Sequence, residues 1–192
     1  MASNASRAEN ENEDEDVQRM VAAALLEGGS DAYGNLVTKY QDTIALQMRR
    51  FSRNELAVEQ LVHDVFVEAY LSLGSYKRRS PFLHWLRKIA VRVGYRYWKQ
   101  QEKNRALSSV ASHEAIDRVL SESVGSALEA SELLGDLLDL LNPRDRLVLT
   151  LLYWDGCTIP EAAEFSGWSQ SMVKVQAHRA RKRLKKLIEE SR

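Results

Sequence analysis

Apolar residues return with the 3.6-residue period of amphipathic helices along most of this 192-residue chain. The clearest run is Leu61, Val62, Val65, Phe66, Ala69, Tyr70 and Leu73, adjacent pairs that repeat every four residues behind an Asn54 N-cap. Upstream, a short helix is expected from Val17 to Glu27, ended by Gly28 and Gly29. Ser30 or Asp31 then caps a longer helix with Leu36, Val37, Tyr40, Ile44 and Met48 on one face. Pro81 opens a further helix to about Glu102, whose core face is Phe82, Trp85, Leu86, Ile89, Val93 and Tyr97. A second group of elements starts between Leu133 and Leu141. There Asn142 and Pro143 form an N-cap followed by proline at the first helical position. The helix they open runs to about Trp154, burying Leu147, Val148, Leu151 and Leu152, and Asp155-Gly156 breaks it.

The stretch from Thr158 to Arg183 then reads as two helices joined by a tight turn. Thr158 and Glu161 have capping-box spacing, and Pro160 is tolerated in a first turn. Ala162 and Ala163 allow a close helix crossing, and Gly167 takes the turn conformation at low cost. Ser169 caps the second helix, with Trp168 and Val173 in the positions of a hydrophobic staple. Val173, Ala177, Ala180, Leu184 and Leu187 form its buried stripe, leaving Lys174, His178, Arg179, Arg181, Lys182 and Arg183 mostly on the other faces. The pattern predicts a helix-turn-helix with a basic recognition helix. An ordinary helical hairpin with a solvated basic face has the same periodicity. The fold class is all-α: two small helical domains joined by a flexible linker, the C-terminal one a helix-turn-helix. The expected boundaries are 1–16 for an acidic disordered N-terminus, 17–103 and 131–192 for the domains, and 104–130 for the linker.

Net charge is zero, but its distribution is strongly segregated, and segregation is the informative quantity. Between Lys77 and Arg105 stand ten Lys or Arg against the single acid Glu102. From Lys174 to Arg192 there are eight against Glu189 and Glu190. Acids gather in an N-terminal run from Glu9 to Asp16 and through the middle of the chain. Two basic surfaces with an acidic connector suit two contacts along one polyanion. Lys88, Arg92, Arg96, Lys99 and Lys103 form an i, i+4 stripe with Tyr95 and Trp98 beside it. Basic side chains interleaved with aromatics suit melted nucleic acid, whose phosphates need neutralising and whose unstacked bases seek π-faces. Trp85 reads as core; Tyr95 and Trp98 fit core or base platform equally. On the helix before it, Glu59, Gln60, His63, Asp64 and Glu68 face away from the apolar stripe. Asp64 and Glu68 are one turn apart and repel. A basic partner would relieve that, and a solvated face reads the same.

Cys157 is the only cysteine, which suits a reducing cytoplasm and excludes an intramolecular disulfide. No apolar run reaches the length of a membrane span, so no membrane insertion is expected, and the acidic N-terminus has the wrong charge for a signal peptide. His63, His84, His113 and His178 are scattered, with no HExxH and no glycine-rich phosphate loop. No catalytic residues, metal site or cofactor are expected, and the chain is not read as an enzyme.

Three segments in order carry a family resemblance: VEQLVHDVFVEAY from Val58 to Tyr70, PFLHWLRKIAVRVGYRYWK from Pro81 to Lys99, and the long segment from Leu141 ending in HRARKRL at His178 to Leu184. Over 31–188 the chain resembles the small two-domain extracytoplasmic-function (ECF) sigma factors of bacterial RNA polymerase. The resemblance implies a protein that binds core polymerase at its clamp helices and flap. It would direct promoter recognition, melting and initiation at a restricted, stress-responsive promoter set. Glu59, Gln60, His63, Asp64 and Glu68 would meet the polymerase. The loop Lys77, Arg78, Arg79 and Ser80 would hold a base flipped from the minus-ten strand, beside Lys88, Arg92, Arg96 and Lys99. Ser171, Lys174, Val175, His178 and Arg179 would read the duplex minus-thirty-five element. The acidic linker would thread near the RNA-exit channel, and an anti-sigma protein is the family's usual further partner.

Some positions depart from the family's pattern. Gln60 stands where an acid is common, Arg92 and Arg96 where Asn and Asp are, and Val175-Gln176 where a Ser-Arg pair is. Base-edge discrimination depends on individual side chains, so the promoter sequence does not carry over. The other reading is a stand-alone helix-turn-helix regulator with an N-terminal sensing or dimerisation domain. A one-sided basic-aromatic helix beside an acid-rich one has no evident use in such a sensor.

Overall fold

The computed structural model describes residues 14–26, 29–107 and 135–190. The expected disordered segment up to residue 13 and nearly all of the expected linker at 104–130 lie outside them. Among the described residues the regular structure is entirely helical, and the chain forms two compact units, Met1–Gly94 and Tyr95–Arg192.

In the first unit, α1 spans residues 14–24. Residues 14–16, which the sequence assigns to the disordered N-terminus, are helical. Val17, Val21 and Ala24 point into the core. Next, α2 runs Ser30–Met48, and neither Ser30 nor Asp31 caps it: the N-cap is Gly29, without a side-chain bond. Helix α3, Glu55–Ser72, opens as the sequence predicts, Asn54 accepting from the Ala57 amide. Leu61, Val65, Phe66, Ala69 and, in the following 3-10 turn, Leu73 are buried as one stripe. Helix α4, Phe82–Leu107, belongs to this unit up to Gly94 and inserts Phe82, Leu86, Ile89, Ala90 and Val93. Each such large side chain contributes about 1.5–3 kcal/mol on burial.

Gly94 sits on α4 where a β-carbon would lie 2.3–2.4 Å from three Phe51 ring atoms. Phe51 is itself buried. Alanine would gain about 1 kcal/mol of helix propensity, but overpacking costs about 1–3 kcal/mol. Gly94→Ala is therefore expected to lower the melting temperature, and a thermal melt followed by circular dichroism checks it. A rise would show that the ring relocates freely.

In the second unit, helix α5 is described over residues 135–139. Helix α6, Pro143–Leu149, has the expected Asn142 cap. Its continuation, Thr150–Trp154, winds as a π-turn rather than the expected α-helix. The Asp155 amide bonds the Thr150 carbonyl at 2.9 Å, and Tyr153 and Trp154 are left facing solvent. Helix α7, Ile159–Ser166, carries the predicted capping box and ends at Gly167 with φ 74°. Helix α8, Gln170–Glu190, begins with Ser169 accepting from the Met172 amide. Val173, Ala177 and Ala180 are its buried stripe, while Leu184 and Leu187 are half-buried.

Candidate functional site

The predicted site residues fall on three surfaces. The first is the outward side of α3. Glu59 and His63 line a groove between α2 and α3, with Tyr33, Val37, Val62, Phe66, Tyr70 and Leu71 forming much of its wall. The Tyr33 hydroxyl donates to the Phe66 carbonyl at 2.5 Å, and its ring meets Tyr70 edge-on. Burial pushes the Tyr33 phenol well above its ordinary range, so it stays protonated and donating. An Arg49–Glu55 ion pair at 3.0 Å stands at the same groove. Gln60 donates to Asp64 at 2.8 Å, so the departure from an acid at Gln60 replaces repulsion with a bond. Glu68 is half-buried.

Sequence periodicity missed the apolar part of this surface. Leu56 is 76% exposed, Leu71 79%, and Val67 and Tyr70 about half. Leu56, Gln60, His63, Val67 and Leu71 follow one another by four, three, four and four, one helix face opposite the buried stripe. That spacing was the available signal. Tyr70, placed by sequence on the core face, is at its edge.

The second surface joins the loop before α4 to the helix itself. Lys77, Arg78 and Arg79 are exposed and Ser80 is half-buried. Tyr76 closes the loop: its hydroxyl donates to the Ser80 carbonyl at 2.8 Å and accepts from Gln18 of α1 at 3.0 Å. Burial raises the Tyr76 phenol, partly offset by the Gln18 bond, with Asp14 and Arg78 acting in opposite senses. Arg78 has φ 56°, a left-handed conformation costing a non-glycine residue on the order of 1–2 kcal/mol. Along α4, Arg92, Arg96 and Lys99 are exposed and Lys88 is half-buried. The Lys99 ammonium lies 5.8 Å from the Tyr95 ring centre. Trp98, which the sequence left open between core and platform, is buried, with the Arg146 guanidinium 4.0 Å from its ring centre.

The third surface is α8. Ser171, Lys174, Val175, His178 and Arg179 are all exposed, Val175 by 50%. Two other basic residues that sequence grouped with them turn to protein partners. Arg181 donates to the Tyr153 hydroxyl at 2.9 Å, and Arg183 pairs with Asp145, which is fully buried. Asp145 also accepts from Gln176 at 2.5 Å and from the Asn142 side-chain amide at 2.6 Å. Gln176 is thus committed inward, and its departure from arginine alters the packing around Asp145 rather than the exposed face.

Comparison with known proteins accounts for this arrangement. Residues 36–104 match the family described as Sigma-70 region 2, and residues 131–184 match Sigma-70, region 4. The RNA polymerase sigma factor CnrH of Cupriavidus metallidurans is 28% identical over 183 residues, covering 91% of this chain and 96% of CnrH. The sigma factor YlaC of Bacillus subtilis is 30% identical over 161 residues, 80% of this chain and 89% of YlaC. The ECF sigma factor SigW of the same organism is 26% identical over 170 residues, covering 84% and 91%. A solved structure of CnrH in complex with the cytosolic domain of CnrY superposes with a TM-score of 0.56 at 26% identity, covering 91% of this chain and 97% of that one. The first two surfaces lie in the region 2 match, the helix-turn-helix in the region 4 match, and the chain belongs to the ECF sigma factors of RNA polymerase.

Proposed function

We propose that this sigma factor divides its work among the three surfaces: α3 holds core polymerase, the loop and α4 hold melted minus-ten DNA, and α8 reads the minus-thirty-five duplex. The single observation that carries the reading is the sorting of charge. Acids and exposed apolar residues share α3, while α4 and α8 present basic faces. Leu56, Val67 and Leu71 flank the polar side chains of Gln60, His63 and Asp64, an apolar–polar–apolar strip that fits a partner helix bearing basic side chains. Residues 17–103 and 131–192 are read as the two domains, with 104–130 as the linker between them. The chain acts by binding, without catalysis of its own, in the cytoplasm; no helix among the described residues is long and apolar enough to cross a membrane. CnrH has been solved with the cytosolic domain of CnrY, and an anti-sigma protein is read as a further partner here.

Transcription in vitro with core polymerase and no other sigma factor tests the reading. Discrete start sites at a restricted promoter set are expected, and only non-specific transcripts would sink it.

The two DNA surfaces differ in what they read. Arg92→Ala removes a phosphate contact, so it is expected to impair open-complex formation on every promoter. It should lower the salt slope by roughly one unit, and a template pre-melted across the minus-ten element should partly rescue it. Lys174→Ala removes a base-edge contact, costing about 1–3 kcal/mol and changing which upstream base is preferred. Pre-melting should give no rescue there. Val175, apolar and exposed amid this basic face, suits a thymine methyl group. A promoter library randomised upstream, at two salt concentrations, separates the cases. Rescue of Lys174→Ala by pre-melting would reverse the assignment.

A further inference from the structure

The Tyr76 hydroxyl has one proton, and geometry decides where it goes. The Ser80 carbonyl can only accept, so at 2.8 Å the hydroxyl must donate to it. The same oxygen must then accept from its other neighbour, and the Gln18 amide nitrogen sits 3.0 Å away. This fixes the Gln18 amide orientation; its own oxygen is buried without a partner. The Tyr76 ring is equally constrained, edge-on to Phe82 and tilted against Trp85 with centres 5.4 and 5.3 Å apart. Tyr76 and Ser80 are the two ends of the basic turn, and the left-handed residue Arg78 is its middle. Gln18 comes from α1, outside the segment 36–104 that matches region 2.

We propose that α1 positions the minus-ten loop: Gln18, through the Tyr76 hydroxyl and the Ser80 carbonyl, holds the turn that presents Lys77, Arg78 and Arg79 to the melted strand. Gln18 is a positioning residue, and the inference rests on reading this loop as the one that holds a flipped base. Two near-isosteric changes isolate the relay. Gln18→Glu replaces the donor with a carboxylate, which draws the Tyr76 proton away from Ser80. Tyr76→Phe removes the hydroxyl and keeps the ring.

The test uses the full chain assembled with core polymerase and a single-stranded minus-ten oligonucleotide carrying 2-aminopurine at the flipped position, read well below the melting transition. Each variant is expected to weaken capture about tenfold, the scale of one lost hydrogen bond. The double variant should be no worse than Tyr76→Phe alone, since both act through one hydroxyl. Affinity for core and for minus-thirty-five duplex should not move, which a general loss of fold would not permit. Replacing Lys77, Arg78 and Arg79 together with alanine is the control for the loop. If that control weakens capture while Gln18→Glu and Tyr76→Phe match the parent, the relay is overturned and the loop reading stands. If the control itself leaves capture unchanged, the loop reading falls and takes this inference with it.

Discussion

A chain carrying Asp145→Ala is expected to lose the stability of its C-terminal unit while the first unit melts as before. Asp145 is fully buried and accepts from three side chains: Asn142 beside it, and Gln176 and Arg183 on α8. It ties the start of α6 to the middle of α8. A hydrogen bond to a charged group contributes about 1.5–3 kcal/mol. The Arg183 share is discounted, because that side chain is 56% exposed and water can replace its partner. A net loss of about 3–4 kcal/mol remains once stranded donors are counted. That is a large part of the roughly 5–15 kcal/mol that holds a typical domain. In a unit of this size each kcal/mol moves the midpoint by about 4–8 °C, so a drop beyond 10 °C is expected. Binding to minus-thirty-five duplex should disappear at growth temperature, with core affinity kept. Arg183→Ala, which removes the exposed end of the pair, should cost far less. Equal melting of Asp145→Ala and the parent would show that Gln176 and Asn142 find other partners.

Asp145 also marks where sequence reading stops. Three residues after Asn142, it is the acid of a first helical turn. Its partners Gln176 and Arg183 lie 31 and 38 residues further on, beyond any helical period. The same holds for Trp98, whose cover, Arg146, sits on another helix. Local rules did well where the physics is local. The Asn54, Asn142 and Thr158 caps, the turn at Gly167 and the buried stripes of α3 and α8 depend on spacings of a few residues. They failed at Ser30 and Asp31, where Gly29 holds the N-cap position without a side-chain bond. Of the candidate site, charged residues were legible because like charges gathered on one face need a partner. The exposed apolar residues of α3 were not, since a leucine in a helical pattern is ordinarily assigned to the core. Leu56 and Leu71 are among the most exposed large apolar side chains described.

That apolar strip shapes the last expected result. Reversing both acids, Asp64→Lys with Glu68→Lys, should weaken binding to core polymerase about a hundredfold. Two attractive contacts become repulsive, and like charges brought together at an interface cost several kcal/mol, of which each 1.4 kcal/mol is a decade in affinity. Helicity should survive, because neither position belongs to the buried stripe of Leu61, Val65, Phe66 and Ala69. The Gln60 bond to Asp64 is lost, but such a one-turn pair on a helix surface is worth only about 0.2–0.5 kcal/mol. Salt distinguishes the charged contacts from the apolar ones. For the parent, affinity should fall as salt rises, and for the double reversal it should fall much less or rise. Leu71→Ser should weaken binding while leaving the parent's salt dependence intact, since it removes buried apolar area and no charge. Competition against the parent for a limited amount of core, at two salt concentrations, reads both quantities. If the double reversal competes as well as the parent, the acids of α3 are a solvated face and the polymerase must dock elsewhere on the chain.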